Sequence, residues 1–132
     1  MNNFSSSKVV YKELSYEIVG VLFEVHNELG YGLQEKYYEK AIEKLFIQNK
    51  ISFKRQAPYE LTFKGEKIGK YYIDFVVENK VVLEIKKGNY YSKRNLEQIK
   101  GYLKVSNLKL AILANFTPNG VKFIRVLNIK NL

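Results

Sequence analysis

The sequence predicts a single α/β domain, a mixed central sheet flanked by helices. Three observations carry that expectation. The chain opens with two apolar stripes at helical spacing, β-prone runs follow, and a third helical stripe precedes two last strands.

The first stripe is Leu14, Ile18, Val21, Leu22, Val25 and Leu29, an amphipathic helix over about 11–29 that Gly30-Tyr31-Gly32 stops. The second helix, about 33–49, places Leu33, Tyr37, Ala41 and Leu45 on one face, widened by Ile42 and Phe46. Ile51–Phe53 and Tyr59–Phe63 then read as short strands, with Pro58 as a boundary and Lys64-Gly65-Glu66 as a turn. Gly69–Val77 and Val81–Lys86 follow, separated by Glu78-Asn79-Lys80. Residues 93–105 return to helical spacing through Leu96, Ile99 and Leu103. Lys109–Asn115 and Val121–Leu127 close the order around Pro118-Asn119-Gly120. Residues 1–10 read as a loose arm and 11–132 as the domain.

Length and composition exclude several classes. At 132 residues the chain can bury roughly two-thirds of its unfolded surface. A hydrophobic content of 46%, with eleven Tyr and eight Phe, is too apolar for disorder. The absence of Cys excludes disulfides, thiolate zinc sites and a Cys nucleophile. No run approaches the ~18 apolar residues that span a bilayer, and the polar start lacks a signal-peptide core. A cytoplasmic location with no membrane partner is therefore expected. The net charge of +9 is unevenly held: residues 1–66 are neutral, and residues 67–132 carry all of it. A basic half points to a polyanionic partner, or to a merely lysine-rich surface. The only Asp in the chain, Asp74, lies in that basic half.

The segment 72–86 concentrates the chemistry. With a three-residue loop at 78–80, antiparallel partners sum to 158 and Asp74 falls opposite Glu84, side chains roughly 5 Å apart. Ile73, Phe75, Val77, Val81, Leu83 and Ile85 then form one apolar face that must pack on a core. Tyr72, Asp74, Val76, Val82, Glu84 and Lys86 form the other, with Lys86 about 7 Å beyond Glu84 along the strand. Opposed carboxylates repel and cost desolvation in an apolar strand pair. A hard divalent cation offsets both, and an adjacent Lys can orient water or neutralise charge on a phosphate. A solvated Glu–Lys surface pair is the alternative.

The layout Asp74…Glu84-Ile85-Lys86 resembles the D…E-x-K signature of the PD-(D/E)XK nuclease superfamily. Gly32-Leu33-Gln34-Glu35-Lys36-Tyr37-Tyr38 is similar to the motif that names its small GxxExxY family. His26-Asn27-Glu28-Leu29-Gly30-Tyr31-Gly32-Leu33 resembles that family's His-x-x-Leu-Gly-x-Gly-Leu stretch, and Gln98-Ile99-Lys100-Gly101-Tyr102 resembles the QxxxY of RecB-type exonucleases. The resemblance covers about residues 11–127. It departs in two places: Ile73 stands where the superfamily name has Pro, and Lys87 stands where many relatives have a small residue.

The resemblance implies a restriction-endonuclease-like core and a Mg²⁺-dependent phosphodiesterase, with Mn²⁺ as a substitute. Asp74, Glu84 and the Ile85 carbonyl would hold the metal, with Glu35 as a further metal or water ligand. Lys86 would position the attacking water. Gln98 and Tyr102 would line the site and touch substrate, and His26 would border it. The residues add some support. Glu35 extends the stripe Tyr38, Ile42, Phe46, although a helix-dipole Glu would look the same. Gln98 and Tyr102 share one helix face. As a lone His at a core edge, His26 is more often a hydrogen-bonded structural residue. Lys93 and Arg94 sit where the helix dipole disfavours cations, as a bound phosphate would explain, and the charge of Lys87 can reach substrate. Tyr90 and Tyr91 lie among these cations and can stack bases.

The expected activity is hydrolysis of nucleic acid, DNA rather than RNA. The alternative is a non-cleaving nucleic-acid-binding or accessory module on the same fold. In so short a chain a homodimer or an accessory protein is a compatible partner.

Overall fold

The computed structural model describes residues 10–89 and 91–131. Residues 1–9 of the expected arm, and Tyr90, lie outside them. Three helices, α1 (Lys12–Leu29), α2 (Glu35–Gln48) and α3 (Lys93–Ser106), accompany five strands. These are β1 (Phe53–Phe63), β2 (Glu66–Val77), β3 (Val81–Lys87), β4 (Leu110–Thr117) and β5 (Gly120–Leu127). They form one sheet in the order β1-β2-β3-β4-β5, with β3 and β4 parallel and all other neighbours antiparallel. The parallel pair needs a long crossover, which α3 supplies.

Both sheet faces are covered. Ile18, Leu22 and Val25 of α1, with Tyr38, Ile42 and Phe46 of α2, pack on Phe75, Leu83, Ile85, Ile112 and Phe116. On the other face Ile99, Tyr102 and Leu103 of α3 pack on Val76, Val82, Ala111 and Leu113. This sandwiching explains why β3 and β4 read as continuous apolar runs rather than alternating ones. In β3 the first five residues, Val81 to Ile85, are buried, Glu84 included.

The turn into α2 has its own chemistry. Gly30 and Gly32 adopt φ of 70° and 112°, backbone that L side chains rarely enter. Tyr38, fully buried, donates its hydroxyl to the Gly30 carbonyl at 2.7 Å and accepts the Leu33 N–H at 3.3 Å. Its ring stacks on Phe116, centroids 4.4 Å apart. The glycines bend the chain, and the tyrosine fixes the bend against β4.

Three expectations fail. Leu29 and Tyr37, expected on the apolar faces of the first two helices, are 41% and 45% exposed, and the buried face of α2 is Tyr38, Ile42 and Phe46. Pro58 does not end a strand: β1 runs unbroken from Phe53 to Phe63. An edge strand tolerates proline because the missing N–H faces no neighbour, and β1 is the edge. Ile73 does not share a face with Phe75. It packs with Ala57 and Val76 in the α3-side cluster, whereas Phe75 packs on the α1–α2 side. The β1–β2 ladder passes from Arg55↔Phe75 to Ala57↔Ile73 without pairing Gln56 to Asp74, and Gln56 has φ of 48°. Alternation slips by one residue at this point, where Asp74 sits.

Candidate active site

The β2–β3 pairing runs Phe75↔Leu83, Val76↔Val82, Val77↔Val81, the register expected from a three-residue loop. Carried one step further it sets Asp74 opposite Glu84. There the ladder gives way to side-chain contacts. Asp74 Oδ2 accepts the Ile85 N–H at 3.3 Å, and Asp74 Oδ1 accepts from Gln56 Nε2 at 3.4 Å. The Asp74 backbone N–H in turn donates to the Glu84 carboxylate. A strand residue sends its N–H and C=O to the same side. The Ile85 carbonyl therefore faces the same gap as the N–H bonded to Asp74.

Glu84 is only 4% exposed. Burial first, and the neighbouring Asp74 second, push its carboxyl up to about 8, while Lys86 pulls it back. Lys86 Nζ stands 3.5 Å from Glu84 Oε2, and buried Glu84 Oε1 has no hydrogen-bond partner. An orphaned, buried carboxylate oxygen costs folding energy unless something binds it.

The third helix contributes Tyr102, whose hydroxyl is raised to about 12, chiefly by burial and then by Glu84 and Asp74. Gln98 hydrogen-bonds Tyr102 from one turn earlier. Tyr102 is thus within electrostatic reach of both carboxylates, and Gln98 is exposed one turn earlier on the same helix. Lys93 and Arg94 are exposed at the start of the helix, where Ser92 Oγ caps the Asn95 N–H at 3.0 Å. Tyr91 is partly buried against the α3-side core.

Glu35 comes in from the first turn of α2. Its Oε2 accepts the Lys87 N–H at 3.1 Å, which ties α2 to the end of β3. Among the described residues no three Asp, Glu or His side chains are gathered to hold one metal ion. The Glu35 carboxylate is engaged by the β3 backbone rather than gathered with Asp74 and Glu84. His26 is also engaged: its Nε2 lies 2.7 Å from the Thr117 carbonyl and its ring packs beside Phe116, so it joins α1 to the end of β4. Lys87 is exposed, with Nζ 5.5 Å from the centre of the Tyr31 ring.

Three further residues emerge only from the structure. Arg55 pairs with Glu39 at 2.7 Å and Glu43 at 3.4 Å, its guanidinium 4.6 Å from the Phe75 ring centre. Glu39 is raised by burial first, then by Asp74, with Arg55 opposing and Glu35 adding. It thus senses the carboxylates of both α2 and β2. The available signal was Glu35, Glu39 and Glu43 at four-residue spacing, a like-charge stripe that needs a counter-ion. Gln56, which holds Asp74, gave no local signal.

The donor set fits a hard cation: two carboxylates, one of them with an orphaned oxygen, and a strand carbonyl facing the same gap. Such an ion takes one or two carboxylates and completes its shell with water and phosphate oxygens. All these donors are oxygen, and the chain has no Cys.

A family model described as the PD-(D/E)XK nuclease superfamily matches residues 12–126. No curated protein matches the chain. The crystal structure of SSO0001 is similar in fold, with a TM-score of 0.58, 18% identity and 89% of this chain covered. The chain spans 58% of the length of that protein.

Proposed function

Because the chain belongs to the PD-(D/E)XK nuclease superfamily, we propose that it is a divalent-metal-dependent nuclease that hydrolyses phosphodiester bonds of nucleic acid, with DNA favoured. The observation that carries this is Glu84: buried beside Asp74, one oxygen without a partner, and Lys86 at 3.5 Å. Two carboxylates and a lysine in a buried strand pair cost folding energy that a bound cation would offset. The Gly32…Glu35…Tyr38 spacing further supports placement in the GxxExxY branch.

Asp74, Glu84 and the Ile85 carbonyl would hold the cation. When bound, Mg²⁺ or Mn²⁺ supplies Lewis-acid polarisation of the phosphate and a lowered pKa for attached water. The remaining work belongs to the chain. Gln56 and the Ile85 N–H fix the Asp74 carboxylate. Lys86, 3.5 Å from Glu84, would orient the attacking water and neutralise charge as it grows on the phosphate. Glu35 holds the end of β3, and with it the backbone that carries Lys86. Gln98 and Tyr102 close the α3 side, where they would hydrogen-bond substrate phosphate or sugar. The exposed Lys87, Lys93 and Arg94 would bind the flanking backbone. His26, tied to Thr117, supports the frame rather than the substrate.

The test is cleavage of labelled single- and double-stranded DNA and RNA by purified protein with Mg²⁺, Mn²⁺ or EDTA. Cutting with either metal and none with EDTA is expected. Binding without cutting under every metal would replace the nuclease with the non-cleaving module.

A further inference from the structure

Each strand of the proposed site leads to an exposed tyrosine with a lysine ammonium at its ring. On β2, Tyr72 is 54% exposed and Lys70 Nζ stands 5.7 Å from the ring centre. Tyr72 precedes Asp74 by two residues. At the end of β3, Lys87 follows Lys86 and reaches Tyr31, which is 42% exposed. Tyr31 belongs to the glycine turn ahead of α2, and the Lys87 N–H is the one that Glu35 accepts. Neither ring belongs to either core cluster, so packing does not account for them.

We infer that Tyr72 and Tyr31 are stacking platforms for bases on the two sides of the cleaved phosphate, and that the substrate is a single strand of nucleic acid. The inference rests on the nuclease reading and names its substrate class. A base inside a duplex has both faces occupied by its neighbours. A flat ring exposed at a site can pair only with a base that is free of them. The lysine at each ring suits the phosphate of the same nucleotide, and the ring face attracts the ammonium when the site is empty.

The chain contains no tryptophan, which makes the stacking directly visible. Tyr72→Trp and Tyr31→Trp are placed singly in an Asp74→Asn background and titrated, without metal, with a short single-stranded oligonucleotide and with a blunt duplex of the same sequence. The single strand is expected to quench tryptophan fluorescence at both positions and the duplex at neither. In the same background Tyr72→Leu and Tyr31→Leu are expected to weaken single-strand binding about tenfold each, while Tyr→Phe preserves it. Equal quenching by duplex, or leucine variants that bind like the parent, overturns the inference. Cleavage separates the two readings. A wild type that cuts while the rings prove indifferent keeps the nuclease and discards the platforms. A protein that cuts nothing but shows single-strand quenching keeps the platforms and discards the nuclease.

Discussion

Glu84 shares a buried gap with Asp74, and the opposing ammonium is that of Lys86, 3.5 Å away. Burial and Asp74 raise the Glu84 carboxyl, so at neutral pH it must take up a proton or keep a buried charge on folding, and either costs stability. Glu84→Gln is therefore expected to raise the melting temperature of the metal-free protein by about 4–7 °C, a gain of roughly 1–2 kcal/mol. The same variant should lose the stabilisation that Mn²⁺ gives the wild type. Differential scanning fluorimetry with and without chelator checks both; an unchanged or lower melting temperature in chelator means Glu84 is not under strain. Lys86→Ala should lower the cleavage rate about 100- to 1000-fold, on the scale of one lost transition-state donor, and leave nucleic-acid affinity nearly intact. At this scale the sequence was informative where chemistry is local. Asp74, Glu84 and Lys86 stand out because charges are rare in strands that must be buried. Gln56 and Arg55 were silent, since their partners lie across the sheet and along another element, out of reach of any spacing rule.

At the scale of elements, α2 is held by two devices. Tyr38 pins the glycine turn at its start, and Arg55 of β1 grips Glu39 and Glu43 along its length. Arg55→Met should leave Glu39, largely buried, without its cation and cost about 2 kcal/mol in urea unfolding. Adding Glu39→Gln should recover part of that loss, and a double-mutant cycle measures the coupling. Additive losses would show that the pair does not hold the helix. Tyr38→Phe should cost about 1 kcal/mol by losing two hydrogen bonds, and should slow cleavage by loosening Glu35. The hairpin register was legible because a three-residue loop and one buried face permit a single solution. The face of Ile73 was not. The left-handed φ of Gln56 shifts alternation by one residue, and glutamine carries no signal for that conformation. Pro58 misled for a related reason: whether a proline breaks a strand depends on whether the strand is an edge, which is a property of the assembled sheet.

Across the whole molecule, the division of charge follows the division of labour. The neutral half, residues 1–66, builds α1, α2 and β1. The basic half holds β3, α3 and all the expected phosphate-contacting cations, Lys87, Lys93 and Arg94 among them. Binding is therefore expected to be strongly electrostatic. For a catalytically inert Asp74→Asn protein, affinity should fall about 10- to 100-fold as salt rises from about 50 to about 200 mM, and Lys93→Ala with Arg94→Ala should flatten that slope. A salt-independent affinity would mean the positive half is only a solubilising surface. The fold class was readable from the order of periodicities. The sheet's layering, with α3 alone on one face, follows from the parallel β3–β4 crossover, which no single segment encodes.

The most direct test of the central claim is the initial rate at which one labelled oligonucleotide is cut by the wild type, Glu84→Gln and Lys86→Ala under saturating Mg²⁺ or Mn²⁺, all three shown to be folded. The site described here predicts cutting by the wild type that EDTA abolishes, no detectable cutting by Glu84→Gln, and a rate at least about 100-fold lower for Lys86→Ala. Metal-dependent cutting that survives both substitutions would contradict it and place the chemistry elsewhere in the molecule.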